Sequence, residues 1–176
     1  MPIAGRIKLD EIDIRLLSVL QQDGRISKTD LANRINLSVS ACFERMQKLE
    51  QQKLIQSYHA VVNPAIFGSL QMFQAHIILK THRAVDFGMF ENYVRQVSMI
   101  TECYALGGGV DYSIKVCAST VSQYQRLIDE MLDASLGVDR YFTYIVTKVV
   151  KDRRLSVQEI LDIKRDSDAE ILAGQY

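Results

Sequence analysis

The chain lacks any long apolar run. Its uninterrupted stretches are short, as in Ile77-Ile78-Leu79, far below the ~20 residues that a membrane-spanning helix needs. The start, Met1-Pro2-Ile3-Ala4-Gly5-Arg6, has no apolar core of the kind a secretory signal carries, so no membrane partner is expected. Cysteine is scarce: the three residues Cys42, Cys103 and Cys117 form no CxxC pair. An odd number at wide spacing excludes a disulfide framework and argues against a zinc knuckle, and a reducing cytoplasm is the expected compartment. Low-complexity segments and repeats are also absent. With 48% apolar and 24% charged residues the composition is that of a folded chain.

Catalytic patterns are missing too. There is no G-x-S-x-G and no Walker-type loop. His59, His76 and His82 show no metal-ligand pattern, and histidines in or beside strands are usually structural. No metal, no cofactor and no catalytic residue is expected.

Net charge is zero, 21 basic residues against 21 acidic ones, but the charge is unevenly spread. From Arg25 to Lys53 six basic residues (Arg25, Lys28, Arg34, Arg45, Lys48, Lys53) meet three acidic ones (Asp30, Glu44, Glu50). Beyond Asn63 twelve basic residues meet fourteen acidic ones. A basic N-terminal head on a mildly acidic body suits phosphate binding.

The head reads as three helices and a strand. Leu9, Ile12, Leu16 and Leu20 repeat at helical spacing, with Gly24 as a stop. Ser27-Lys28-Thr29-Asp30 is a capping box that opens a short helix with Leu31 and Ile35 inward; Asn36, tolerant of the left-handed conformation, closes it. Ser38 then caps a third helix striped by Cys42, Met46 and Leu49. Residues 55–62, with Tyr58, Ala60 and Val62 alternating, are expected to form a strand. Two short helices joined by a tight turn form a helix-turn-helix, although an ordinary three-helix bundle has the same periodicities. At ~100° per residue the third helix turns Ser40, Glu44, Gln47 and Lys48 outward, side chains able to reach base edges and phosphates. Arg45, at the border, can clamp a phosphate or pair with an acid of the head. With Ser27, Lys28 and Ser38 at the helix starts, these residues form the candidate DNA-contact set.

Asn63-Pro64 is the natural boundary. Beyond it Phe73, Ala75, Ile77 and Leu79 alternate as a strand. A helix follows, capped by Asp86 and striped by Phe90, Tyr93, Val94 and Val97. Strands at 100–106 and 112–118 flank Gly107-Gly108-Gly109, a second helix carries Val121, Tyr124, Ile128 and Met131, and a last strand is expected over 140–150. The order β-α-β-β-α-β is the ferredoxin-like plan, with both helices on one sheet face. The last strand is apolar on both sides, Phe142, Tyr144 and Val146 against Tyr141, Ile145 and Val149, so one face calls for a partner such as a second subunit. Val157, Ile160 and Leu161 mark a C-terminal helix. The fold class is therefore α+β: a helix-turn-helix domain over residues 1–62, a ferredoxin-like domain over 63–155 and a helical extension over 156–176.

In the hairpin, exposed glycine amides stand beside Asp111. Together they complement the carboxylate and ammonium of an amino acid, although Asp111 can equally be a turn residue bonding its own backbone.

The stretches LDEIDIRLLSVLQQDGRISKTDLANRINLS and ACFERMQKLEQQKLIQSYHAVVNP resemble the head of Lrp/AsnC (feast/famine) regulators. ECYALGGGVDYSIKV resembles the family's glycine-aspartate hairpin, and LGVDRYFTYIVTKVVK its last strand. The resemblance runs from about Leu9 to Leu155. It implies a winged helix-turn-helix on double-stranded DNA, β-sheet-mediated homodimers that assemble further, for example into octamers, and an amino-acid effector bound between dimers near the hairpin. It favours the functional reading of Asp111. The effector set it implies is Tyr104, Gly108, Gly109, Asp111, Tyr112 and Tyr144.

Departures from the family pattern are Asn36 and Lys53 where glycine is usual, and Ala41 where proline is frequent. Val110 stands where an aromatic is common and Tyr141 where threonine is, so an amino-acid derivative is as plausible an effector as a standard amino acid. The rival from another class is a sirohaem-decarboxylase-like enzyme on the same fold, for which the strands of the second domain offer mainly His76 and Lys115. An architectural DNA-binding protein without an effector is a third reading.

Overall fold

The computed structural model describes residues 9–173, except for the side chains of Ala65 and of residues 166–173. Residues 1–8 and 174–176, the outer ends of the expected first domain and of the extension, lie outside the described residues. The chain divides into two compact units: one joins the residues up to Val61 with those from Arg153 onward, and the other is Val62–Asp152.

The first unit contains α1 (Glu11–Gln22), α2 (Lys28–Ile35), α3 (Val39–Gln51) and α6 (Val157–Ala173). Its core is Leu16, Leu17, Leu31, Ala32, Ile35, Cys42 and Leu49, with Met46 and Val157 packed alongside. Asp10 caps α1 in a reciprocal box with Asp13, a start that the apolar stripe alone does not reveal. Gly24 is not the stop expected of it: α1 ends at Gln22, and extended Asp23 closes it by donating its N–H to the carbonyl of Val19.

Both helices of the helix-turn-helix end in the same way. Asn36, at φ 57°, donates its N–H to Asn33 O at 3.3 Å while Leu37 N reaches Ala32 O at 2.9 Å. Lys53, at φ 59°, repeats the pattern with Lys53 N to Glu50 O and Leu54 N to Leu49 O, each at 2.9 Å. These are paired C-terminal closures around a left-handed residue, kept although neither residue is glycine.

The strand expected over 55–62 does not form. A strand needs a ladder partner, and among the described residues the first unit has no other strand. Val61 is fully exposed, so the alternation there buries no face. Tyr58 instead donates its hydroxyl to Glu50 Oε1 at 2.9 Å, tying the segment to α3.

The second unit contains a single turn of 3-10 helix (Pro64–Phe67), β1 (Gln71–Leu79), α4 (Ala84–Gln96), β2 (Ile100–Ala105), β3 (Tyr112–Ala118), α5 (Val121–Asp133) and β4 (Val138–Val146). The sheet is antiparallel in the order β2-β3-β1-β4, the ferredoxin-like arrangement. Phe73, Ala75 and Ile77 share a face with Val116, Ile114 and Tyr112 of β3 and with Ile145, Thr143 and Tyr141 of β4. Phe90 and Val94 of α4 and Tyr124, Leu127, Ile128 and Met131 of α5 bury the β1 and β3 part of that face, while Ile145 on the edge strand stays exposed. Phe73 stacks on Tyr124 with ring centroids 4.2 Å apart, and the Tyr124 hydroxyl meets Thr143 Oγ1 at 2.6 Å.

Four details correct the sequence reading. Asp86 sits in the first turn of α4 rather than before it, and accepts from Arg83, the residue that precedes the helix, and from Thr81. Val121 points outward, and Leu127 takes the core place on α5. β2 ends at Ala105, one residue short of the expected span. β4 starts at Val138 and stops at Val146, which pairs with Met72 near the start of β1. Val149 and Val150 are therefore exposed, irregular backbone rather than strand.

Candidate nucleic-acid interface and effector region

On α3 the caps and the core stripe determine what faces outward. Ser38 accepts from Ala41 N at 3.3 Å and lies 3.2 Å from Ser40 Oγ. Because Cys42 and Leu49 point inward, Ser40, Glu44, Gln47 and Lys48 are exposed. Ser27 caps α2 through Asp30 N at 3.1 Å and donates its hydroxyl to Asp30 Oδ2 at 2.6 Å. The Lys28 ammonium lies 3.8 Å above the Phe43 ring, a cation–π contact that positions it beside the exposed face of α3. Sequence reasoning missed Phe43 in this role, since an aromatic on an amphipathic helix carries no mark of its partner.

Arg45 takes the second of its two expected roles. Its Nη1 contacts Asp10 Oδ2 at 2.6 Å and Asp13 Oδ1 at 2.7 Å, bridging α3 to the start of α1. These two carboxylates hold its pKa above the usual arginine value. The Asp13 backbone N–H, followed by the Arg45 guanidinium, holds the Asp10 carboxyl below its ordinary range. An arginine so engaged is part of the head's internal framework.

The expected effector residues divide between the two faces of the sheet. Tyr104 lies opposite Ser113, and Tyr144 opposite Gln74, on the face away from the helices. They stand on the two edge strands, three strand spacings or about 14 Å apart. Tyr112 lies on the helix-covered face, buried against Phe90 and Phe87. Gly108, at φ 147°, and Gly109 are exposed at the hairpin with open space around them. Asp111 accepts Leu79 N at 2.7 Å and sits 3.1 Å from His82 Nε2, binding the hairpin to the segment that leaves β1. The chain therefore brings Asp111 and the glycines together with Tyr104 just before them on β2, while Tyr112 faces the other side of the sheet and Tyr144 lies on the far edge strand. Sequence spacing gave no sign of His82 as the neighbour of Asp111, because the contact depends on the pairing of β1 with β3.

The open face also carries Glu102 and Lys115, paired at 2.8 Å, and His76, whose ring meets Tyr144 edge-on at 5.4 Å. Lys115 holds the Glu102 carboxyl below its ordinary value. Among the described residues no group of histidine, cysteine and carboxylate side chains is placed to hold a metal, and no helix is long and apolar enough to cross a membrane.

A helix-turn-helix with an exposed face on α3, followed by a ferredoxin-like α+β unit, defines a DNA-binding regulator with a separate sensory domain. Residues 9–56 match the winged helix-turn-helix DNA-binding family, and residues 73–156 match the Lrp/AsnC ligand binding domain. The chain is 47% identical over 151 residues to the transcriptional regulatory protein DoeX of Halomonas elongata, covering 86% of this chain and 96% of that one. It is 36% identical over 143 residues to the leucine-responsive regulatory protein of Escherichia coli, covering 81% and 87%. A transcriptional regulator of Neisseria meningitidis, solved as a complex with L-methionine, superposes with a TM-score of 0.77 at 25% identity, covering 85% of this chain and 96% of that one. The protein belongs to the Lrp/AsnC family of transcription regulators.

Proposed function

We propose that this protein is a sequence-specific regulator of transcription whose DNA binding responds to an amino acid or an amino-acid-derived metabolite. It acts without catalysis, in the cytoplasm, as a homodimer that assembles into higher oligomers. The observation that carries the reading is the exposed face of α3, where Ser40, Glu44, Gln47 and Lys48 stand clear of the core in a family of DNA-binding regulators. Ser27, Lys28 and Ser38 flank that face as backbone contacts, and two-fold dimers place paired α3 helices in successive major grooves. In this reading the DNA-binding domain is 1–62, the effector and assembly domain 63–155 and the extension 156–176. The effector reading is supported by the match to the ligand binding domain and by the relative solved with L-methionine. Asp111, Gly108 and Gly109 are its residues on one copy. Tyr104 stands on β2 just before the hairpin, whereas Tyr144, on the opposite edge strand, is taken to meet these residues across copies. Tyr112, expected in the same set, faces the other side of the sheet.

The test is a footprint on DNA upstream of the protein's own gene and of its neighbours, with and without amino acids. A protected site whose occupancy changes with one compound is the expected result. Equal affinity for specific and random DNA, at every salt concentration tried, would overturn sequence-specific regulation.

A further inference from the structure

Phe43 is a half-buried aromatic that takes no part in the core of the head. It follows Ser40 by three residues and precedes Gln47 by four, so it shares a side of α3 with both. Its ring is covered from α2, with the Lys28 ammonium 3.8 Å from the ring centroid. Lys28 is otherwise unengaged. Among the described residues it has no carboxylate partner, and Asp30, the acid in the first turn of α2, receives the Ser27 hydroxyl instead. Arg45 on α3 is the opposite case, since two carboxylates already hold it.

A ring face attracts a cation through its quadrupole and carries no net charge. It therefore fixes the ammonium in place and leaves the whole positive charge, with N–H donors to spare, for an anion arriving from solvent. A free lysine gives up the motion of a long, flexible stem when it meets a phosphate; at Lys28 the ring has already restricted that motion. We infer that Phe43 is a positioning residue for DNA binding: it presents the Lys28 ammonium, beside Ser40 and Gln47, to a backbone phosphate bordering the groove that α3 enters. The pair joins the two helices of the helix-turn-helix, so the phosphate contact from α2 is kept in register with the base-reading side of α3.

This inference rests on the reading of α3 as the DNA-contacting helix and deepens it. The test is a double-mutant cycle on the full-length protein with poly(dI-dC), a duplex without an operator, since a phosphate contact is independent of sequence. Lys28→Ala should lower affinity and flatten the dependence of log affinity on log salt by about one unit per bound head. Phe43→Leu should lower affinity about two- to fivefold, the preorganisation that an exposed cation–π contact can supply, and leave the salt slope unchanged because the charge stays. Phe43→Tyr should bind as the wild type does. In the Lys28→Ala background Phe43→Leu should have no further effect, which a merely structural role for the ring would not give. Melting temperatures check the folding of each variant. Nuclear magnetic resonance reads the contact in the wild type itself, where the ring current should move the Lys28 ε-methylene protons upfield. Absence of that shift overturns the inference whatever the variants do. Equal losses from Phe43→Leu in both backgrounds, or no loss in either, overturn the positioning role and leave Lys28 on the DNA. Lys28→Ala that binds as tightly as the wild type at every salt concentration overturns the inference together with the place of Lys28 in the contact set.

Discussion

Lys53 and Arg45 show how much a single position can decide in the head. Lys53 holds a left-handed φ of 59°, a conformation in which a side chain costs about 1 kcal/mol relative to glycine. Lys53→Gly should therefore raise the stability of the head by up to about 1 kcal/mol, less the entropy that glycine adds to the unfolded chain; a urea titration followed by circular dichroism reads this, and a lower midpoint would contradict it. Arg45→Met should act the other way. It strips the nearly buried Asp13 of its 2.7 Å partner, and a charged hydrogen bond lost at such a site costs about 1–3 kcal/mol. The pH dependence follows from Asp10, whose carboxyl is held below its ordinary value first by the Asp13 N–H and then by Arg45. A carboxylate depressed in the folded state stabilises above its unfolded pKa of about 3.9, and that contribution fades as pH falls through the lower folded value. Without Arg45 the depression shrinks, so the acid midpoint of Arg45→Met should move to higher pH. An unchanged midpoint would mean that Arg45 is not the partner holding Asp10 down. Either role of Arg45 was open from the sequence, because Asp10 and Asp13 lie a whole helix away along the chain.

Elements were legible where local chemistry closes on itself. The Ser27 and Ser38 caps, the Asn36 turn and the inward stripe of Cys42 and Leu49 all involve residues within a few positions of one another, and each stands in the structure as the spacing implies. What depended on a distant partner was not legible. The alternation over 55–62 supplied a strand pattern with no strand to pair with, and the last strand ended at Val146, where its pairing with β1 stops, rather than where its apolar pattern ended. The division of the effector residues between two sheet faces had the same origin, since Tyr112 sits on the opposite side of the pleat from Tyr104 only once the β2–β3 register is set. The α3 face yields the prediction at this scale. Lys48→Ala removes one exposed cation and should weaken binding to all DNA sequences alike, flattening the dependence of log affinity on log salt by about one unit. Ser40→Ala and Gln47→Ala remove groups able to read base edges, so they should change sequence preference and leave the salt slope intact. A competition assay over a salt series separates the two, and footprints unchanged in all three variants would remove α3 from the interface.

For the whole molecule, the face of the sheet away from the helices sets the terms. Phe142 is 45% exposed, Tyr144 53% and Tyr104 56%, with partly buried Met72 and Ile78 between the edges. The opposite face of the same strands is the core of the unit, so α4 and α5 cannot also cover this one. Aromatic rings gathered on one side of a sheet form an apolar surface of the kind that marks an association site, and a second copy applied through a two-fold axis would cover both sheets at once. His76 and the Glu102–Lys115 pair give that surface polar points that can register one copy on another. The protein should therefore sediment as a dimer or larger at micromolar concentration. Phe142→Asp and Tyr144→Asp place unpaired carboxylates within the covered patch, a change that costs several kcal/mol in a desolvated interface, while in an isolated subunit both positions remain in water. The double variant should accordingly sediment as a folded monomer with its far-ultraviolet dichroism intact. It should also lose cooperative DNA binding, because paired α3 helices no longer reach successive grooves together. A wild-type protein that sediments near 20.0 kDa, or a double variant that assembles as the wild type does, would place the subunit contact elsewhere.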